Sequence, residues 1–239
     1  MTFFRTLFFF LVFWSHQLLI LPLLLYFTRV AKRKSPAEAR VRAAYIGRRW
    51  GKMVAWLGGA RVDVTDNADL SENETVLIVS NHQGEFDIPI LIGHAGCTPG
   101  FVAKKELQNI PLVSHWMRLL GCVFLDREDR RKQIAQVREI IELLKSGHSM
   151  VIFPEGTRSG SDELLPFAKG SLNIAVKAGV RILPITLSGS WKLMPKGIPR
   201  LPGGTVRLVR HPLLDPAALS PEEQARLHEI VRDQIASAL

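Results

Sequence analysis

A run of apolar, β-rich residues, Thr75-Val76-Leu77-Ile78-Val79-Ser80, stops abruptly at the polar stretch Asn81-His82-Gln83-Gly84-Glu85-Phe86-Asp87. The run predicts a buried strand, and a buried strand that ends in polar residues is where α/β proteins place their ligands. His82 exchanges a proton near neutral pH, and Asp87 is the nearest carboxylate able to fold back and orient its ring. Five residues is an awkward separation on a regular helix, so a turn is expected between them. A histidine steadied by a carboxylate is the minimum equipment of a general base.

The rest of the chain repeats the pattern. Arg61 to Val64 alternates as a strand, and Asn67 to Asn73 reads as a polar loop. Phe101-Val102-Ala103 reads as a strand running into Lys104-Lys105-Glu106, Pro111 to Leu120 as a helix, and Gly121 to Arg127 as a strand with a polar end. Ile134, Val137, Ile141 and Leu144 recur at helical spacing, and Gly147 stops that helix. Ser149 to Phe153 is a strand leading into Pro154-Glu155-Gly156-Thr157-Arg158-Ser159, followed by a helix from Gly170 to Ala178 and a strand from Ile182 to Leu187. Thr205 to Val209 gives a late strand, and Ser220-Pro221-Glu222-Glu223 opens the last helix with a capping box. Alternating strands and helices predict an α/β fold over residues 60–239, a largely parallel mixed sheet flanked by helices. Parallel strands would gather their chemically loaded ends at one edge.

Residues 1–59 read differently. Leu7 to Phe27 is nearly continuous in apolar residues, broken by Ser15-His16-Gln17 and by Pro22. About 20 such residues cross a bilayer. Arg5 precedes the segment and Arg29, Lys32, Arg33 and Lys34 follow it, which fits a membrane hairpin or a single span. No small-x-small cleavage pattern stands before the charges, so the segment is expected to stay as an anchor. A helix capped by Ser35 then interleaves Arg40, Arg42, Arg48, Arg49 and Lys52 with Tyr45, Trp50 and Trp56. With a formal charge of +9, the chain expects an anionic partner. Beside an apolar anchor that partner is a membrane surface; no nucleic-acid recognition motif accompanies the basic residues. Cys97 and Cys122 form neither a disulfide framework nor a metal-ligand pattern.

Four blocks in order over about half the chain resemble the glycerolipid acyltransferase superfamily, and within it the lysophosphatidate acyltransferases. They are Asn81-His82 with Asp87; Gly121, Phe124, Asp126 and Arg127; the complete run Phe153 to Ser159; and the strand Ile182 to Leu187 around Pro184. Lys104-Lys105-Glu106-Leu107 also fits. The chain departs from the pattern at Gly84-Glu85-Phe86, where many members carry a small polar residue and an aromatic one, and this bears on substrate preference.

The resemblance implies transfer of a fatty acyl group from a thioester, acyl-CoA or acyl-carrier protein, to the sn-2 hydroxyl of lysophosphatidate. It implies catalysis by His82 and Asp87 at the cytoplasmic face of an inner membrane, with no acyl-enzyme, no metal and no further cofactor. Backbone amides around Asn81 to Gly84 are candidate donors to the oxyanion. Glu155, Gly156, Thr157 and Arg158 would hold the acceptor: Arg158 by its planar fork to phosphate, Glu155 by accepting from a glycerol hydroxyl. Lys104, Lys105 and Arg127 would add charge. A metal reading from His82, Asp87 and His94 lacks a supporting cluster. Rival readings are acylation of another lysolipid (a lyso-ornithine lipid or larger lysophospholipid), a thioesterase or lipase, and a non-catalytic membrane scaffold. No Gly-x-Ser-x-Gly elbow supports a lipase.

Overall fold

The computed structural model describes residues 2–71, 74–126, 128–195, 197 and 200–239. In chain order the elements are α1 (Thr2–Leu19), α2 (Leu21–Arg33), α3 (Pro36–Leu57), β1 (Ala60–Asp66), β2 (Val76–Ser80), α4 (Asp87–His94), β3 (Gly100–Lys104), α5 (Val113–Leu119) and β4 (Val123–Leu125). There follow α6 (Arg130–Lys145), β5 (Met150–Ile152), α7 (Asn173–Ala178), β6 (Arg181–Ser188), β7 (Gly204–Arg210), α8 (Pro221–Ala225) and α9 (Leu227–Ala236). The strands form one sheet in the order β1-β7-β6-β2-β5-β3-β4. From β6 to β4 every pairing is parallel, whereas β7 runs antiparallel to β6 and carries β1 parallel to itself. The largely parallel mixed sheet expected from the alternation is therefore present, with a reversed two-strand edge.

β2 sits near the middle of this sheet and all five of its residues are buried. Its side chains divide by the period of two that a strand imposes. Val76 and Ile78 enter a core with Val54, Ala55, Ile90 and Leu91 of α3 and α4. Leu77 and Val79 enter a second core on the opposite face with Ile140, Leu144, Ala175 and Val231 of α6, α7 and α9. Burying each such side chain contributes roughly 1.5–3 kcal/mol, so the strand is held firmly where its C-terminal end must be placed. Pro184 fits inside β6 because it stands where the pairing to β7 ends. Its carbonyl accepts from His211 N–H at 3.0 Å there, and the missing N–H breaks no rung to β2.

The apolar N-terminal stretch breaks at Ile20, with Pro22 in the first turn of α2. α1 is long and apolar enough to cross a membrane by length and composition, and it exposes Phe3, Phe4, Leu7, Phe8, Leu11 and Leu18. Its other face is tied to the body: Arg5 Nε donates to the Leu201 carbonyl at 2.6 Å, and Leu201 N–H donates to Thr6 Oγ1 at 3.0 Å. The Phe9 ring lies 5.8 Å from that of Phe86, at the foot of the central turn. Phe9, Val54 and Leu57 belong to the same core as β2 and α4, so the core crosses the sequence division at residue 59. α2 packs Leu24, Phe27 and Val30 against Ala39, Ala43, Leu119 and Leu120.

α3 crosses α4 at close range. A Cβ on Gly51 would lie 2.6 Å from the Pro89 carbonyl, so only glycine allows the two backbones to approach this far. That contact seats α4, whose first residue is Asp87.

Candidate active site

The chain leaves β2 and turns through residues 81–86 before α4 begins at Asp87, as the five-residue separation from His82 requires. Asn81 fixes the exit. Its side-chain amide donates to the Leu187 carbonyl and its side-chain oxygen accepts from Leu187 N–H, both at 2.8 Å, so the side chain continues the ladder between β2 and β6. His82 Nδ1 then meets Asp87 Oδ2 at 2.6 Å. The same oxygen accepts from the backbone N–H groups of Gln83 at 2.7 Å and Gly84 at 2.9 Å. Asp87 has no exposed side-chain surface, whereas His82 keeps 18% of its own. With Nδ1 bonded to a carboxylate, the ring carries its hydrogen there and presents Nε2 as an acceptor. Phe153 stacks on the imidazole at 4.0 Å between centroids and 15° between planes, which leaves the ring one orientation.

These contacts commit three of the four expected oxyanion donors. The amides of Gln83 and Gly84 are committed to Asp87, and that of His82 to Glu155 Oε1 at 2.7 Å. An amide already aimed at a carboxylate does not point to where a tetrahedral oxygen would form.

Beyond β5, Gly156 turns the chain at a φ of 70°, a region open to glycine, and donates its N–H to the Phe153 carbonyl at 3.0 Å. The following loop is stitched to the histidine turn by two backbone bonds. Ser159 N–H donates to the His82 carbonyl at 2.8 Å and Gly160 N–H to that of Gln83 at 3.1 Å. Glu155 adds a third tie. Besides holding His82 N–H, it accepts from Leu165 N–H at 3.1 Å, and burial pushes its carboxyl above the usual range against the pull of those two donors. Its two oxygens position backbone, each accepting one N–H. Arg158 and Thr157 project outward at the rim, and Arg158 pairs with Glu85 of the histidine turn. His82, Asp87, Glu155, Gly156, Thr157 and Arg158 thus share one edge of the sheet.

Among the described residues, the other sequence candidates make no hydrogen bond or ion pair with this group. Lys104, exposed, pairs with Glu106 at 3.3 Å. Lys105 pairs with Glu128 and with Asp126 at 2.5 and 3.1 Å, and these partners raise its ammonium pKa. Arg127 lies outside the described residues. His94 ends α4, opposite the end that carries Asp87, and faces Lys52, Arg48 and Arg210. Burial pushes the Cys122 thiol up to about 12, which leaves it inert as a nucleophile.

Two residues at the site escape motif reading. Phe153 was visible only as the first residue of a block, and its stacking on His82 was not. Ser190, just past β6, donates its hydroxyl to Asp87 Oδ1, while its N–H donates to Gln83 Oε1 at 3.1 Å. Both oxygens of Asp87 are therefore engaged. The one mark of Ser190 in the sequence is the Gly189-Ser190 pair past the end of a strand, which does not say that β2 lies alongside.

An α/β sheet whose central strand ends in a histidine, oriented by a buried carboxylate, has the arrangement that a general base requires. The chain belongs to the acyltransferase family, whose model matches residues 61–188. It is 35% identical to a 1-acyl-sn-glycerol-3-phosphate acyltransferase of Borreliella burgdorferi, over 79% of this chain and 75% of that one. A chloroplastic enzyme of the same name from Brassica napus is 39% identical over 63% of this chain, which spans 44% of that longer relative. The crystal structure of the 1-acyl-sn-glycerophosphate (LPA) acyltransferase PlsC from Thermotoga maritima superposes with a TM-score of 0.83 at 32% identity, covering 99% of this chain and 95% of that one.

Proposed function

We propose that the protein transfers a fatty acyl group from a thioester to the sn-2 hydroxyl of 1-acyl-glycerol-3-phosphate, forming phosphatidate. The observation that supports this reading is the stitching of the Arg158 loop to the turn that carries His82, since a guanidinium suits phosphate and a carboxylate-oriented imidazole suits a general base. The names of the relatives supply the acceptor.

In this mechanism His82 Nε2 takes the hydroxyl proton as the acceptor oxygen bonds to the thioester carbonyl carbon. Asp87 steadies the imidazolium. Collapse of the tetrahedral intermediate breaks the carbon–sulfur bond, and the imidazolium returns the proton to the leaving thiolate. The substrate supplies the nucleophile, so the enzyme needs no acylated side chain. Acyl-CoA or acyl-carrier protein is the donor. The exposed apolar side of α1 and the basic residues of α3 support work at an anionic membrane surface, which in this reading is the cytoplasmic face of an inner membrane, where both lysolipid and product reside.

The test is a purified assay pairing coenzyme A and carrier-protein thioesters with several lysolipids. Lysophosphatidate is expected to be acylated fastest. Equal rates with acceptors that lack the phosphomonoester would defeat the reading, as would thioester hydrolysis that acceptor leaves unchanged.

A further inference from the structure

Glu85 stands where the chain departs from the resemblance, and the structure pairs it with Arg158. The two residues sit on separate loops. The loops are held in register by two backbone hydrogen bonds, Ser159 N–H to the His82 carbonyl at 2.8 Å and Gly160 N–H to that of Gln83 at 3.1 Å. Their encounter is therefore built into the backbone and does not depend on a chance meeting of two long side chains. Both are open to solvent, with side-chain exposures of 47% for Arg158 and 53% for Glu85, so an incoming anion reaches them without any rearrangement of the core.

We propose that Glu85 is a specificity-determining residue: its carboxylate occupies Arg158 in the free enzyme and has to be displaced by the phosphate of the acceptor. This rests on the reading of Arg158 as the phosphate-binding residue. A guanidinium offers the same planar donor fork to a carboxylate and to a phosphate, so the two anions compete for one face. A dianionic phosphomonoester competes better than a singly charged phosphodiester. It also feels more strongly the negative charge left nearby once the carboxylate has swung away. Glu85 touches none of the reacting atoms, so its cost falls on acceptor binding and leaves the chemical step alone.

The experiment is steady-state kinetics of the purified full-length protein in mixed micelles. It compares wild type, E85Q and E85A with 1-acyl-glycerol-3-phosphate and with lysophosphatidylglycerol, a phosphodiester. Both variants should lower KM for the monoester about three- to fivefold, the range set by a half-exposed ion pair, with kcat within about twofold. The decrease for the diester should be smaller. An unchanged or raised KM for the monoester in both variants overturns the proposal, because Glu85 would then be a bystander or a support for Arg158. Turnover of lysophosphatidate by the wild type tests the proposed function separately. An active wild type with unaltered variants removes Glu85 and leaves that function standing.

Discussion

The histidine turn and the cationic rim lie side by side, yet they are built on opposite principles. Around His82 and Asp87 the polar groups are fixed, apart from the open Nε2 of His82: both carboxylate oxygens of Asp87 are engaged, three consecutive backbone amides are committed, and Phe153 covers the ring. At the rim, Arg158 and Lys104 are half-exposed or more and meet carboxylates through single ion pairs. Proton transfer tolerates little misplacement, and a desolvated, hydrogen-bonded setting holds a base to within a fraction of an ångström. Capture of a charged headgroup tolerates more, and it gains from side chains that can let go of one anion to take another. Substitutions of the fixed groups around His82 and Asp87 should therefore act on kcat, and those of the exposed ion pairs, Glu85 included, on acceptor KM.

The largest effect expected is that of His82→Ala, which removes the base. Turnover should fall by roughly 10²–10⁴-fold while the protein still sediments with membranes, because α1 and α3 are untouched. Activity within about threefold of wild type would show that the turn is a structural feature. Arg158→Ala should instead raise the acceptor KM by about ten- to a hundredfold, the range expected for a lost charge-assisted hydrogen bond, with kcat much less altered. A loss confined to kcat would erase the distinction between the two regions.

Those two residues could be chosen from the sequence because each lies at the end of an apolar run that had to be a buried strand. The strand–helix alternation also announced the sheet, the capping box at Ser220 and the helix that Gly147 ends. Local pattern carries that information because 3.6- and 2-residue periods are written in neighbouring residues. It does not carry the strand order. Asn81 bonds Leu187 and Asp87 bonds Ser190, partners more than a hundred residues on, and they meet only because β6 inserts next to β2. The commitment of the amides at residues 82–84 was hidden for the same reason. It depends on where Glu155 and Asp87 arrive, and a spacing cannot reveal that a donor is already taken. Nor did the apolar N-terminal stretch disclose its break at Ile20 or the placing of Phe9 against Phe86.

Ser190 sharpens the contrast from within the buried region. It touches no reacting atom by this geometry, and it acts by holding Asp87, which holds the imidazole. Ser190→Ala should lower kcat about tenfold, as expected for one hydrogen bond to a charged group, with acceptor KM nearly constant. Ser190→Thr, which keeps the hydroxyl, should recover part of the loss. The pH profile of kcat/KM separates positioning from simple packing. Loss of a donor to the carboxylate should move its acidic limb, whereas a merely loosened core would lower the whole profile without displacing it. An unshifted profile together with no rescue by threonine would remove Ser190 from the machinery.

The smallest effect belongs to Lys105, and it tests how far the rim extends. Sequence proximity to β3 suggested a second charge for the acceptor phosphate, but its ammonium is shared between Glu128 and Asp126, at 2.5 and 3.1 Å. A cation already neutralised by two carboxylates contributes little field to a ligand held beyond the neighbouring strand β5, and salt screens what is left at a partly exposed pair. Lys105→Ala should therefore change the lysophosphatidate KM by less than about twofold at moderate ionic strength. A KM raised tenfold, with the shift lost in high salt, would mean that Lys105 leaves its carboxylates when the lipid arrives. The rim would then be a set of exchangeable ion pairs reaching from Arg158 to β3, each broken by the substrate in the way proposed for Glu85.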